Sequence, residues 1–179
     1  MPTLRPNSWF TQLLPFAGAL LLAALLPGET RAAEAQDDSA SFVNEALSNS
    51  QEQIGRARQA LRYGHTLAVR DQAQGVLDEH GMLLYDLRAL AQKEGLPAKA
   101  DMTLEQESGQ AQRNLSDSAR FDHDYAQAQL KACREAVKAF EAMSRSDDDP
   151  TLRDFARLWL PRLYHQREIA DQLLAAQTP

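Results

Sequence analysis

Residues 67–93 have the sequence LAVRDQAQGVLDEHGMLLYDLRALAQK, and this stretch decides the fold class of the chain. Its apolar side chains recur at steps of three and four residues, which places them on one face of an α-helix. Thr66 can cap the start of this helix, and Gly95 with Pro97 can end it. The predicted inward row is Ala73, Val76, Leu77, His80, Leu84, Leu87, Leu90 and Ala91. Such a helix must bury its apolar face against partner helices.

The same periodicity recurs in three other segments. The four predicted helices span about residues 41–62, 67–93, 118–144 and 150–175. The inward rows of the three further helices are Val43, Leu47, Gln51, Ile54, Ala57 and Leu61; Ala126, Leu130, Cys133, Val137 and Phe140; and Leu152, Phe155, Trp159, Leu163, Gln166, Ala170 and Leu173. Alternating β-branched runs, which would indicate strands, are absent. The sequence therefore predicts an all-α four-helix bundle.

The connections between these helices favour one type of bundle. The first and last connections are short, whereas residues 98–116 form a longer, polar link between the second and third helices. A single long crossover is typical of ferritin-like bundles, although a simple up-down-up-down arrangement stays open. Asp149 followed by Pro150 predicts the start of the fourth helix, and Pro161 predicts a kink within it.

The N-terminus has the order of a secretory signal peptide. Arg5 precedes an apolar run over residues 13–26, and small residues follow at a cleavage-like site. The run is short for a membrane span, which needs about 20 apolar residues. We predict cleavage after Ala35; cleavage after Ala32 and an uncleaved anchor are the alternatives. Residues 1–35 are then the signal peptide, residues 36–179 form one four-helix bundle domain, and the mature protein is periplasmic.

Charge and cysteine content restrict the partners. The formal net charge is −6, and no basic cluster is evident, so nothing attracts the chain to nucleic acid. Cys133 is the single cysteine, which excludes an intrachain disulfide although the predicted compartment is oxidising. We predict no transmembrane segment in the mature chain, and a protein partner that the sequence does not identify.

Four polar side chains fall on the predicted inward rows, one on each helix. They are Gln51, His80, Cys133 and Gln166. Burying such groups without hydrogen-bond partners is costly, so they should bond to one another, to water or to a ligand. One interpretation is a polar layer that fixes the helix register, and the other is a metal site. We favour the polar layer and no cofactor, because glutamine is a poor ligand for transition metals and buried cysteine usually behaves as a small apolar side chain.

Other ionisable residues add little to a metal or catalytic site. Glu79 precedes His80 but is rotated by about 100° from the inward row. The sequence has no Glu-x-x-His pair, no Ser/His/Asp constellation, no phosphate loop and no Cys-x-x-Cys motif. A non-catalytic protein is therefore favoured. If a metal does bind, the candidate ligands are His80, Cys133 and Glu79, and copper or zinc would suit a thiolate and an imidazole better than iron.

Several short pieces of the chain carry a family resemblance. They are Phe42-Val43, Ile54-Gly55, Asp78-Glu79-His80, Leu87, Leu90-Ala91, Gly95, Phe121-Asp122-x-x-Tyr125, Phe140-Glu141, Leu160-Pro161-x-Leu163 and Ala170. Over nearly its whole mature length the chain resembles the exported bacterial ferritin-like family known as domain of unknown function 4142. The resemblance implies an exported four-helix bundle and no stated activity.

The resemblance also bears on the four inward polar residues. The family pattern places a glutamate in the first helix and a histidine in each of the others, at the positions held here by Gln51, His80, Cys133 and Gln166. His80 alone matches, so the resemblance implies a degenerate site.

Two functions from different classes follow. The first is a non-catalytic periplasmic bundle that acts by interaction or in envelope stress tolerance, and it predicts metal-free protein. The second is a metal-binding or redox bundle that uses His80 and Cys133. It predicts stoichiometric metal that both His80→Ala and Cys133→Ser would remove.

Overall fold

The computed structural model describes residues 27–98 and 118–177, with side chains described from residue 36 and residue 120 of these two ranges. Four helices account for nearly all of these residues: α1 (Pro27–Tyr63), α2 (Leu67–Glu94), α3 (Ser118–Met143) and α4 (Pro150–Ala176). The described residues form no strand. The prediction of an all-α four-helix bundle is therefore confirmed. The predicted signal sequence up to residue 26 and the link over residues 99–116 lie outside the described residues.

The helix ends follow from local sequence. The Thr66 hydroxyl accepts a hydrogen bond of 3.3 Å from the Val69 amide and caps α2. Gly95 ends α2 with φ of 64°, a left-handed conformation that glycine adopts without a steric penalty. The Asp149 carboxylate accepts a 3.0 Å bond from the Leu152 amide and caps α4. The predicted start and stop signals thus act where the sequence places them.

The start of α1 differs from the prediction, and α4 is not interrupted at its internal proline. α1 begins at Pro27 rather than near residue 41, because residues 31–36 (RAAEAQ) are good helix formers and proline is tolerated in a first helical turn. α4 continues as one helix across Pro161, whose ring faces the exposed side of the helix. The buried side chains of α1 begin at Ser39, so the additional turns upstream contribute no described core contact.

Hydrogen bonds between helix ends fix the helix directions. The backbone amides of His65 and Thr66, between α1 and α2, donate to Asp122 at the start of α3. At the opposite end, the Ser39 hydroxyl donates to Asp149 at the start of α4, over 3.0 Å. α2 and α3 therefore both start at the end of the bundle that holds the α1–α2 turn, and they run in the same direction. The link between them must cross the full length of the bundle. These directions agree with one long crossover, while the ferritin-like assignment itself stays a prediction.

The core residues repeat every seven positions, at alternating steps of three and four. In α1 the buried positions of this repeat are Val43, Ala46, Ser50, Gln53, Ala57 and Ala60, and in α4 they are Leu152, Ala156, Trp159, Leu163, Gln166, Ala170 and Leu173. Such a repeat averages 3.5 residues per turn, which is typical of helices that wind gently around one another. The repeat decides which polar residues enter the interior.

Two apolar clusters fill most of the interior. The large cluster includes Phe42, Leu47, Leu83, Leu87, Val137, Phe140, Leu152, Trp159 and Leu163, and the small cluster includes Ala57, Ala60, Val69, Ala73, Val76, Tyr125, Ala126 and Leu173. Phe42 and Phe140 meet edge to face with ring centroids 5.0 Å apart in the large cluster. The small cluster lies at the end of the bundle that holds the α1–α2 turn. In the part of the chain described, no helix is long and apolar enough to cross a membrane.

Candidate functional site

A layer of polar side chains separates the two apolar clusters. On each helix it falls between residues of the large cluster and residues of the small cluster, so its members lie at one level of the bundle. The polar layer consists of Ser50 and Gln53 from α1, His80 from α2, Gln129 and Cys133 from α3, and Gln166 from α4. All six are buried. The predicted burial of His80, Cys133 and Gln166 agrees with the structure.

The prediction for α1 is corrected. Gln51 is half-buried and outside the layer, and the fully buried glutamine of α1 is Gln53, with Ser50 beside it. The predicted row stepped from Leu47 to Gln51, as in a straight helix of 3.6 residues per turn, whereas the actual seam steps from Ala46 to Ser50 and Gln53. A strict seven-residue repeat back from Ala57 reaches Ser50, and that signal could have found the right face.

Two glutamines join α1 to α3 in the middle of the bundle. The Gln129 amide nitrogen donates to the Gln53 carbonyl oxygen over 2.5 Å, and both side chains are fully buried. The Gln53 nitrogen in turn donates to the Asn49 side chain, whose own nitrogen donates to the Ala132 carbonyl over 3.4 Å. A chain of amides therefore runs from the partly exposed Asn49 to the centre. Gln53 and Gln129 escaped the sequence analysis because neither was placed on an inward row.

Cys133 contacts the glutamine pair. Its sulfur lies 3.6 Å from the Gln129 nitrogen and 3.8 Å from the Gln53 oxygen. Burial raises the pKa of the Cys133 thiol to about 11, and the hydrogen bond from Gln129 and the charges of Arg56 and Arg167 only partly oppose that shift. The thiol is therefore protonated at neutral pH. A protonated thiol is a poor nucleophile, since the thiolate is the reactive form.

His80 is held as a neutral imidazole. The side chain is 1% exposed, and burial followed by the positive charge of Arg56 lowers its pKa from 6.5 to about 4. Protonation would place an uncompensated charge in the interior, which explains the direction of the shift. A neutral imidazole can hydrogen-bond or ligate a metal, but it cannot form an ion pair with an anionic group at neutral pH.

Three atoms of the polar layer are buried without a hydrogen-bond partner among the described residues. They are Ser50 Oγ, His80 Nδ1 and Gln129 Oε1. Buried polar atoms in native proteins are usually paired, with protein or with ordered water. The layer therefore keeps unused capacity to bind a further small polar group, unlike an interior whose hydrogen bonds are complete.

Glu79 and the remaining histidines lie away from the polar layer. Glu79 pairs with Arg162 of α4 at 3.6 Å, and the Arg162 guanidinium lies 4.9 Å from the centre of the Trp159 ring. His65 and His165 are exposed, and His123 is half-buried near the start of α3. Nowhere in residues 36–98 and 120–177 do three or more His, Cys, Asp or Glu side chains group in a way that could hold a metal ion.

A second polar cluster, at the end of the bundle, is the Asp122 clasp. Asp122 is 3% exposed and accepts bonds of 2.9 Å and 2.8 Å from the backbone amides of His65 and Thr66. Burial alone would raise the pKa of Asp122, but these hydrogen bonds, with His65 nearby, outweigh it and lower the pKa. One turn later, the Tyr125 hydroxyl donates to Gln72 of α2 over 2.6 Å. The clasp fastens α3 to the α1–α2 turn.

The clasp explains the Phe121-Asp122-x-x-Tyr125 motif. Phe121 meets the Tyr63 ring edge on, with centroids 6.3 Å apart, where α1 ends. A side chain at Gly64 would place its Cβ 2.5 Å from the Ala60 carbonyl oxygen and 2.8 Å from Val69, so the tight turn needs glycine. The motif residues thus stabilise the bundle by joining α3 to the α1–α2 turn.

The family model described as Domain of unknown function (DUF4142) matches residues 24–173, so the chain belongs to that family. No curated protein and no solved structure matches the chain.

Proposed function

We propose that this member of the DUF4142 family is an exported periplasmic protein that acts without catalysis, by binding a protein partner or in envelope stress tolerance. In this proposal the polar layer is a structural element that holds α1 and α3 in register. The observation that carries it is the buried hydrogen bond between Gln53 and Gln129. Two interior amides form such a hydrogen bond in one alignment of the two helices and lose it in others.

The protonation states of the layer support a non-catalytic role. Burial raises the pKa of Cys133 to about 11 and lowers the pKa of His80 to about 4, so both groups are neutral across the physiological range. Catalytic nucleophiles and bases are tuned the other way, toward a thiolate or toward a pKa near 7. The thiol is therefore held in its unreactive protonated form, and the imidazole, with its lowered pKa, is a weak base.

The N-terminal sequence supports export. Cleavage after Ala35 would leave α1 from residue 36 onward, and the buried side chains described in α1 begin at Ser39. Removal of the signal peptide would thus cost the described core nothing. Cell fractionation with intact mass measurement tests this: a periplasmic species beginning at Gln36 is expected. A full-length mass in the membrane fraction would contradict both cleavage and periplasmic release.

A specific observation favours a second function, metal binding. His80 Nδ1 is buried without a partner among the described residues, and it shares the layer with the Cys133 thiol. Imidazole and thiolate together suit copper(I) or zinc. Metal binding at this site would require Cys133 to lose its proton, because the thiolate is the form that binds metal. Burial favours the protonated thiol, so the positive charge of the bound metal ion would have to stabilise the thiolate. Glu79, the third candidate ligand, forms an ion pair with Arg162 at 3.6 Å.

One experiment separates the two functions. The protein is purified from its native compartment without a metal-binding tag, and bound metal is measured by elemental mass spectrometry. The structural proposal expects metal-free wild-type protein that takes up no added copper(I) or zinc. Near-stoichiometric metal that both His80→Ala and Cys133→Ser abolish, while His165→Ala retains it, would overturn that proposal and establish the second function.

A further inference from the structure

The exposed large apolar side chains of the described residues are confined to two of the four helices. Leu67, Met82 and Tyr85 lie on α2, and Leu158 and Tyr164 lie on α4. α1 and α3 expose no large apolar side chain over residues 36–63 and 120–143. A single exposed apolar residue needs no explanation, whereas several on one face indicate a contact surface.

Three of these side chains lie together along the boundary between α2 and α4. The two helices start at opposite ends of the bundle, and the Arg162–Glu79 ion pair at 3.6 Å joins them. Met82 lies about one turn after Glu79, and Leu158 lies one turn before Arg162, so in antiparallel helices both reach the same level. Tyr85 follows Met82 by three residues, on the same face of α2. Met82, Tyr85 and Leu158 form what we call the α2–α4 patch.

The α2–α4 patch is exposed in a single copy of the chain. Tyr85 is 74% exposed, Leu158 is 72% exposed and Met82 is 45% exposed. Covering such side chains with a second apolar surface removes their area from water and is favourable. Tyrosine and arginine are also enriched among the residues that contribute most to protein–protein binding, and Arg162 lies beside the patch.

The two helices that carry the patch have opposite charge. Residues 71–86 of α2 contain no lysine or arginine but four acidic side chains, Asp71, Asp78, Glu79 and Asp86. Residues 157–167 of α4 contain three arginines and no acidic residue. The two stretches lie side by side, because the Arg162–Glu79 pair falls near the middle of both. A face with one acidic half and one basic half is complementary to its own copy after a half-turn rotation.

We propose that a second copy of this chain covers the α2–α4 patch, in a dimer with twofold symmetry. The twofold axis runs parallel to the helices, so α2 of each copy faces α4 of the other. This rotation brings Tyr85 of one copy against Leu158 of the other, and Asp78 near the other copy's Arg162. An axis perpendicular to the helices would instead place acidic α2 against acidic α2, and like charges repel.

The area of this face is sufficient for a specific dimer. α2 has 28 residues and α4 has 27, so each helix is about 40 Å long. Two adjacent helices present a width of about 20 Å. The face therefore offers up to about 800 Å² on each copy, which is the size of a standard specific interface. The net charge of −6 opposes association, and the patch with its opposite-charge halves outweighs that repulsion.

This dimer does not rest on the function proposed above. The α2–α4 patch lies on the outside of the bundle, whereas the polar layer lies inside it. A structural layer and a metal-binding layer are both compatible with a dimer, so either result of the metal measurement leaves the dimer to be tested by itself.

Sedimentation equilibrium of the protein purified from its native compartment tests the dimer. We expect twice the mass of one chain, with a dissociation constant of about 10 μM or below for an interface of this size. The mass of one chain at about 100 μM protein would overturn the proposal. A second protein that co-purifies with wild type and is lost in Leu158→Glu would also overturn it, and would assign the patch to that protein.

Variants locate the interface. Leu158→Glu should raise the dissociation constant of the dimer at least about 100-fold, because the twofold axis brings two charges into the apolar contact. The matched control is Leu67→Glu, at another exposed leucine about 120° around α2 from Glu79, and it should dimerise as wild type does. Substitutions at such exposed positions should leave the free energy of unfolding of the monomer nearly unchanged. Equal dimerisation of the two variants would overturn the proposal.

A charge exchange tests the orientation of the two copies. Asp78→Arg and Arg162→Asp should each weaken their own dimer about tenfold, since each places like charges opposite one another twice. An equal mixture of the two variants should dimerise nearly as tightly as wild type, because both opposite-charge pairs form again in the mixed dimer. Arg162→Asp also breaks the pair with Glu79, so its folded state is checked by circular dichroism. A mixture that dimerises no better than either variant alone would overturn the arrangement in which α2 faces α4.

Discussion

The polar layer and the Asp122 clasp are both buried and polar, but they complete their hydrogen bonds differently. The Asp122 carboxylate is matched by two backbone amides that the α1–α2 turn supplies. In the polar layer, one amide pair is made while Ser50 Oγ and His80 Nδ1 stay unpaired among the described residues. The difference teaches that the clasp has its hydrogen bonds complete and serves to hold the helices together. The polar layer fixes the alignment of α1 and α3 and also keeps polar atoms that could bind a further group.

The difference also separates their responses to acid. The clasp holds a charged group whose pKa is lowered below its ordinary value of 3.8, so its contribution is present above pH 3.8 and lost below it. The layer holds a neutral base, His80, whose pKa is lowered from 6.5 to about 4. Its contribution is present above pH 6.5 and declines as the pH falls toward 4. The two regions should therefore weaken in separate pH ranges.

The largest expected effect is the pH dependence of His80. Below pH 6.5 the imidazole is protonated in the unfolded chain, whereas in the folded protein it stays neutral until about pH 4. The free energy of unfolding therefore decreases as the pH falls through this range. The stability of wild type relative to His80→Gln should fall by about 3 kcal/mol across that range. Urea unfolding at a series of pH values measures it. His165→Gln, at an exposed histidine, serves as the control, and a wild-type curve parallel to that of His80→Gln would refute the assignment.

Removal of the clasp carboxylate comes next. Asp122→Ala should lower the free energy of unfolding by roughly 2 to 3 kcal/mol, because two backbone amides lose a charged acceptor. Chemical denaturation at neutral pH measures the loss. Asp124→Ala changes an exposed carboxylate two residues away and should cost far less. Equal losses in the two variants would mean that Asp122 contributes no more than its surface neighbour.

The amide pair allows a double-mutant cycle. Gln53→Leu alone should cost about 2 kcal/mol, because Gln129 then keeps a buried donor without its acceptor. Adding Gln129→Leu should restore much of that loss, since two apolar side chains leave nothing unpaired. Unfolding free energies of the four proteins give the coupling. Additive losses would show that the two amides act independently and would contradict the register role.

The smallest effect concerns the cap beside the clasp. Thr66→Ala removes the side-chain acceptor for the Val69 amide and should cost about 1 kcal/mol. Thr66→Ser keeps the hydroxyl and should stay close to wild type. Thermal unfolding of both variants makes the comparison. Because the Thr66 backbone amide still reaches Asp122 in either variant, a loss as large as that of Asp122→Ala would indicate that the clasp depends on the cap.

Much of the fold could be predicted because its signals are local. The helix ends at Thr66, Gly95 and Asp149 follow from capping residues, and the structure places caps at each of them. The candidate site was predicted less completely. His80, Cys133 and Gln166 were placed correctly in the interior, but Gln51 was not, and Gln53 and Gln129 were missed. Gln51 follows the core position Ser50 by one residue, a rotation of about 100°, which carries its side chain off the seam.

The clasp could be predicted even less. Asp122 and its acceptor role depend on the α1–α2 turn, which is distant in sequence, and no local pattern joins them. The same holds for Tyr125 and Gln72. These pairs form because α3 starts at the same end of the bundle as the α1–α2 turn. The periodicity of each helix does not determine which helices are neighbours or in which direction each one runs.

The sequence by itself determined the four helices, their caps and their apolar faces, because those properties arise from neighbours within one or two helical turns. Tertiary structure alone decided which polar groups meet: the Gln53–Gln129 pair and the clasp at Asp122. The physical reason is that hydrogen bonds between helices depend on rotation and register, and packing of all four helices sets both together.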